Sequence, residues 1–272
     1  MDERNLSGKA ALVTGSSRGV GKAIAKVLAK EGATVILCGR NENDLKTARL
    51  ELNDVHGGNA ETYYFCADAN NPDEIKRGFA APFWSKLGKL DILVNNVGGP
   101  LKFGSFFDLS DEDWASDWNF NFMSMVRFTR EAIPLLKKSG GGRIINISAV
   151  PARQPGEFNP HYAASKAAML NLNKYLSNTL AKDNILVNAL CPNTLEGGGW
   201  DANAADRAKS EGISLEEAAD KMRASAFKKS PLQRMGTPED VANLVAFLAS
   251  DKAGHITGTV INVDGGTVRS II

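Results

Sequence analysis

The chain has 272 residues, of which 43% are apolar and 23% charged, an ordinary composition for a globular protein able to bury a full core. A formal charge of +1 lacks the basic surplus that nucleic acid or an anionic membrane demands, so neither is expected as a partner. The three cysteines, Cys38, Cys66 and Cys191, have neither metal-ligand spacing nor disulfide density; they read as reduced core thiols, and no metal is expected.

No apolar run approaches the length of about 18 residues needed for a spanning helix. The start, MDERNLSGK, carries no export-type apolar core, which makes the cytoplasm the expected compartment. Short β-branched runs alternate with longer helical patterns, the signature of a parallel sheet covered on both faces. The expected fold class is α/β, one doubly wound (Rossmann-type) domain with a seven-stranded parallel sheet.

In chain order, the first strand spans Ala10–Thr14 and the first helix Val20–Glu31. Between them, Gly15-Ser16-Ser17-Arg18-Gly19-Val20-Gly21 joins a strand to a helix start, where glycines permit close approach of backbone to a pyrophosphate and the helix dipole receives its charge. Gly15, Ser17, Arg18, Gly19, Val20 and Gly21 are therefore candidate dinucleotide contacts. The second strand, Thr34–Cys38, ends in Gly39-Arg40-Asn41. An acid there would hold both ribose hydroxyls; Arg40 instead offers a fork of donors to a 2′-phosphate, with Arg18 approaching from the other side. NADP(H) is expected in preference to NAD(H).

A helix over Asp44–Asn53 and a third strand over Glu61–Cys66 lead to Asp68, placed for the adenine edge. Asn71-Pro72-Asp73-Glu74 opens a helix expected to run to Leu87. The fourth strand, Ile92–Asn95, runs into Asn96-Val97-Gly98-Gly99, which assigns Asn95 and Gly98 to the middle of the cofactor. Long helices follow over Asp111–Lys138 and Tyr162–Ala181, around a fifth strand at Arg143–Ser148. A sixth strand, Ile185–Leu190, leads to Pro192 and Thr194, then Gly197-Gly198-Gly199 and two helical patterns, Ala202–Lys209 and Leu215–Phe227. The segment 193–230 lies beyond a strand's carboxyl end and reads as a substrate lid. Thr237-Pro238-Glu239-Asp240 opens a last helix over Pro238–Ala249, before a strand at Thr259–Val263.

From Gly8 to Gly266 the chain resembles the short-chain dehydrogenase/reductase family. The resemblance rests on TGSSRGVG at Thr14–Gly21, Asn95-Asn96-Val97-Gly98, Trp114 with Asn121 seven residues on, and Tyr162-Ala-Ala-Ser-Lys166. It implies interconversion of a carbonyl and a secondary alcohol by hydride transfer. Tyr162 would be general acid or base, and Lys166, one turn on, would lower the phenol's pKa and hold the ribose, so both also belong to the cofactor site. Asn121 would anchor a water of the proton relay, with Pro192 and Thr194 near the nicotinamide. Homo-tetramers or homo-dimers packing the two long helices are implied as well.

Two departures touch the reaction centre. The family's serine position, thirteen residues before Tyr162, holds Ala149, with Ser148 one residue early and turned to the opposite face by strand alternation. Ser148 could serve through local distortion, Gln154 or His161 could compensate, or Tyr162 could act without a serine. After the sixth strand, Asn193 and Gly197 stand where Gly and Thr are usual, and Thr194 is out of register. The substrate is not readable beyond a small carbonyl or alcohol, Arg153 being a loose hint of an acidic group. The rival reading is a nucleotide-binding regulatory or scaffold protein that keeps the fold with little turnover.

Overall fold

The structure, a computed structural model, describes residues 5–56, 61–197, 204–205, 207–209 and 211–271. Its strands are β1 (Ala10–Thr14), β2 (Thr34–Gly39), β3 (Tyr63–Cys66), β4 (Ile92–Asn95), β5 (Gly142–Ile147), β6 (Ile185–Pro192) and β7 (Val260–Val263). They form a parallel sheet in the order β3-β2-β1-β4-β5-β6-β7. The chain reverses its direction of travel between β1 and β4, which opens a crevice at their carboxyl ends.

Alternation along each strand divides the core into two faces. Ala11, Val13, Val35, Leu37, Ile145 and Ile147 pack against α1 (Gly19–Lys30), α2 (Glu42–His56) and α9 (Pro238–Ala249). Ala10, Leu12, Ile36, Leu93 and Ile144 pack on the other side, against α3 (Pro72–Phe79), α4 (Phe83–Leu87), α6 (Ser124–Lys138) and the end of α7 (Pro160–Leu180). Both faces are apolar because helices cover both, the condition for a parallel sheet.

Three expectations need correction. The helix expected over Pro72–Leu87 is two, α3 and α4, separated at Ala80–Pro82, because proline offers no N–H to continue the ladder. The helix expected over Asp111–Lys138 is α5 (Asp111–Trp118), a π-helical turn over Asn119–Met123, and α6. Cys66 is exposed, since β3 is an edge strand and Cys66 its last residue; Cys38 and Cys191 are buried and free as expected.

The caps read from sequence are formed. Asn71 accepts from the Asp73 and Glu74 amides. The Thr237 hydroxyl accepts from Asp240 N at 3.2 Å, while the Asp240 carboxylate accepts from Thr237 N at 2.8 Å. Thr237→Ala is expected to cost about 1 kcal/mol of stability, read as a lower urea midpoint at unchanged slope.

A buried amide ladder crosses the sheet and ties it to α7. Asn95 Nδ2 donates to Thr129 Oγ1 (3.0 Å) and to Asn146 Oδ1 (2.9 Å). Asn146 Nδ2 donates to Asn173 Oδ1 (2.9 Å), and Asn173 Nδ2 to the Thr259 carbonyl (3.3 Å). Buried amides are costly unpaired, and here the Nδ2 of each donates along the ladder, while Asn95 Oδ1 has no partner among the described residues.

Candidate active site

The turn after β1 is shaped by its own glycines and by a neighbour. Gly15 and Gly19 have φ of 63° and 55°, and a Cβ at Gly21 would lie 2.2 Å from the Gly15 carbonyl oxygen. Asn96 Nδ2 donates to the Thr14 and Gly15 carbonyls (3.0 and 3.2 Å), and the Thr14 hydroxyl accepts from the Asn96 amide (2.9 Å). Ser16 is buried and accepts from Cys38 N at 3.0 Å, fastening the turn to β2. Sequence reading missed Asn96 and Ser16; both are polar residues beside the glycine pattern, but nothing in their spacing announces the bracing.

The turn fits an anionic dinucleotide. Unlike α3, α5 and α9, α1 has no acidic residue in its first turn and no side-chain cap, which leaves its N-H groups and dipole for a ligand. Arg18 and Arg40 both present exposed side chains there, while Ser17 and Val20 are half-buried. Asp68 is also half-buried; its carboxylate accepts from Asn70 N (2.9 Å) and so shapes its own turn. Asn95, expected to serve the cofactor, is buried with its amide committed to the ladder.

The structure brings Tyr162, Lys166, Asn121 and Gly98 together. A Cβ at Gly98, where φ is 155°, would lie 2.5 Å from Lys166 Nζ and 2.7 Å from Asn121 Oδ1, so only glycine lets the two approach. Lys166 is buried, donates to the Ile147 carbonyl at 3.0 Å, and holds its ammonium 5.8 Å from the centre of the Tyr162 ring. Asn121 accepts from Gly99 N (2.9 Å) and donates to the carbonyls of Gly99 (3.1 Å) and Asp117 (3.2 Å). It lies within the π-helical turn, and π-turns break the regular carbonyl ladder. Asn119, the other asparagine nearby, is occupied by Arg127 and Asn70.

The electrostatics correct one expectation. Burial pushes the Lys166 ammonium down to about 8, with Asp117 and Cys191 opposing. Burial also raises the Tyr162 phenol above its ordinary value, and the Asp117 carboxylate adds to the rise. Burial therefore outweighs the lowering expected from Lys166, and Tyr162 is held in its protonated form.

Ser148 does not reach round. β5 pairs with β6 in regular register to Ile147–Leu190 without a bulge, and Ser148 Oγ donates to the Lys166 carbonyl at 3.0 Å. Alternation puts it on the α7 side with Asn146, as strand geometry requires. Ala149 follows with extended backbone, φ −159° and ψ 157°, 8% exposed. Of the other polar residues of this stretch, Gln154 accepts from Arg269 N (3.2 Å) and Arg153 donates to Asn262 Oδ1 (3.1 Å), while His161 is buried beside Asp117 with neither ring nitrogen hydrogen-bonded among the described residues.

Beyond β6, Pro192 is buried and Thr194 half-buried; the Thr194 carbonyl accepts from Gly236 N at 3.2 Å. Thr194 lines a cavity of about 200 Å³ with Asn193, Ala226, Ser230, Met235 and Gly265. The second helix expected in the segment 193–230 is present, as α8 (Leu215–Lys229), and its end walls that cavity. Gly198, Gly199 and the start of the helix expected over Ala202–Lys209 lie outside the described residues. Among the described residues no cluster could hold a metal, and no helix is long and apolar enough to cross a membrane.

Over nearly its whole length the chain is similar to known oxidoreductases. A family model described as Enoyl-(Acyl carrier protein) reductase matches residues 15–268. The chain is 34% identical over 267 residues to the uncharacterized oxidoreductase YvaG of Bacillus subtilis, covering 98% of each. It is 34% identical over 265 residues to the 3-oxoacyl-(acyl-carrier-protein) reductase FabG of Thermotoga maritima, covering 97% of this chain and 99% of that one. Among solved structures, the L-sorbose reductase of Gluconobacter frateurii complexed with NADPH and L-sorbose superposes with a TM-score of 0.90 at 32% identity, over 100% of both chains. YwfH, an NADPH dependent reductase involved in bacilysin biosynthesis, superposes with a TM-score of 0.88 at 29% identity, over 97% of this chain and 99% of that one.

Proposed function

The chain belongs to the short-chain dehydrogenase/reductase family and is an oxidoreductase of it, and on that premise we propose that it uses NADP(H) to interconvert a carbonyl and a secondary alcohol, with reduction favoured. The observation that carries the reading is Tyr162 facing the Lys166 ammonium, with Asn121 and Gly98 alongside, at the crevice beside the glycine turn.

A phenol kept protonated by burial is poised to give its proton to a carbonyl oxygen, the general-acid role in reduction. Lys166, steered by the Ile147 carbonyl, supplies the positive charge that eases loss of that proton. The glycine turn and α1 would hold the pyrophosphate, Arg18 and Arg40 the 2′-phosphate, and Lys166 the nicotinamide ribose. The cofactor, when bound, supplies the hydride. The segment 193–230 is proposed to close over the substrate. Assembly through α5–α7 is proposed too, supported by Trp118 and Tyr175, which are 41% and 62% exposed on those helices.

NADPH consumption over a broad panel of ketones and aldehydes tests the reading, and cofactor binding without turnover of any of them would favour the regulatory alternative. Arg40→Ala is expected to weaken NADPH by about 10- to 100-fold, the loss of one charge-assisted contact, while NADH changes little. Equal losses for both cofactors would remove the 2′-phosphate assignment.

A further inference from the structure

Arg127 on α6 is half-buried, and the acceptors it meets are amide oxygens. Its Nη1 donates to the Ala69 carbonyl at 3.1 Å and to the Asn119 carbonyl at 3.4 Å, and its Nη2 donates to Asn119 Oδ1 at 2.5 Å. Asn119 Nδ2 in turn donates to Asn70 Oδ1 at 3.0 Å. The guanidinium dictates this order: it has donors alone, so Asn119 must face it with an oxygen and turn its nitrogen to Asn70. Asn70 N donates to Asp68 Oδ1 at 2.9 Å, so the string of bonds ends in the turn that follows β3.

The contacts fall on the part of the helix that most needs support. A π-turn is one residue's surplus in an α-helix, a rare form that requires a hold from outside it. Asn119, the first residue of the turn, is held from two directions. Arg127 reaches it from eight residues on, leaning back toward the helix N-terminus as helical side chains do, and Asn70 meets it from the turn after β3. Asn121 stands two residues further along the same turn, where its amide meets the backbone of Gly99 and Asp117. Burial lowers the Arg127 pKa and Arg130 adds to the fall, so the charge depends on the carbonyl dipoles around it.

We propose that Arg127 is a positioning residue: with Asn119 and Asn70 it clamps the π-turn to the turn after β3 and so fixes where Asn121 points. Its hydrogen bonds run to Ala69 and Asn119 and not to the reacting groups, so it acts on the reaction through Asn121. The clamp joins two ends of the cofactor site into one unit, the turn of Asp68 on the adenine side and Asn121 beside Lys166. The part of Asn121 in proton transfer rests on the oxidoreductase reading above; the clamp itself does not.

The Gly99 amide reports on Asn121 without any need for turnover, because it donates to Asn121 Oδ1. In amide-exchange NMR of the full chain, Arg127→Met is expected to speed exchange at Gly99 by about 10- to 100-fold, the loss of charge-assisted bonds felt through the π-turn. A double-mutant cycle in kcat tests the route of action. Arg127→Met alone should lower kcat by about 10- to 100-fold, the effect of a displaced group at the site. Added to Asn121→Ala, it should lower kcat no further, whereas a merely structural role would multiply with that substitution. Unchanged exchange at Gly99, or losses in kcat that multiply, overturns the proposal. Should Arg127→Met fail to fold, Asn70→Ala removes only the far end of the clamp and carries the same two measurements. Faster Gly99 exchange in the variant, with no carbonyl turned over by the wild type, would count against the oxidoreductase reading alone.

Discussion

Tyr162→Phe is expected to lower kcat for carbonyl reduction by about 10²–10⁴-fold, the usual contribution of a positioned general acid. The substitution removes one oxygen and keeps the ring, so the half-buried site retains its shape and the ladder behind α7 is untouched. NADPH affinity should stay within a few-fold, because the glycine turn and the two arginines lie outside the change. The split is the informative part: loss confined to kcat marks a group acting only as charge develops. A variant turning over at the wild-type rate would end the case for Tyr162 as the acid.

The second large effect runs the other way. Ala149→Ser is expected to raise kcat by up to about 10²-fold, the lower end of what an oxyanion donor contributes when removed from other enzymes. Ala149 has extended backbone that serine adopts without strain, and its Cβ already defines where the new hydroxyl begins. Ser148→Ala is the contrast. Ser148 Oγ is committed to the Lys166 carbonyl, so its loss should cost about 1 kcal/mol of stability and leave kcat nearly unchanged. Collapse of kcat in Ser148→Ala, with no gain in Ala149→Ser, would show that the hydroxyl one residue early is the working one.

What could be read in advance followed from periodicity. Each strand lies within two residues of its expected place because buried parallel strands are short apolar runs and little else in the chain resembles them. The Thr237 and Asn71 caps were readable because a cap is a local sequence of donors and acceptors. Tyr162 with Lys166 was readable because one helical turn fixes which side chains share a face.

What escaped is whatever depends on contact across the fold. The π-turn at Asn119–Met123 has no periodicity of its own, being one residue's worth of slack in a helix whose ends are pinned elsewhere. Asn95 looked like a cofactor residue from its place at a strand end; its amide points along the sheet to Asn146, which no spacing could announce. The rise in the Tyr162 pKa is illegible in the sequence for the same reason. Lys166 is visible in the sequence, but the depth of the phenol and the Asp117 carboxylate approaching from another helix are not.

The amide ladder limits how the protein can move. Asn146 and Asn173 key α7 to β5 at one register, and a slide of the helix by even a single residue would strand two buried amides at once. An axial or screw motion of α7 would break these bonds, so the ladder sets the register of Tyr162 and Lys166 against β5.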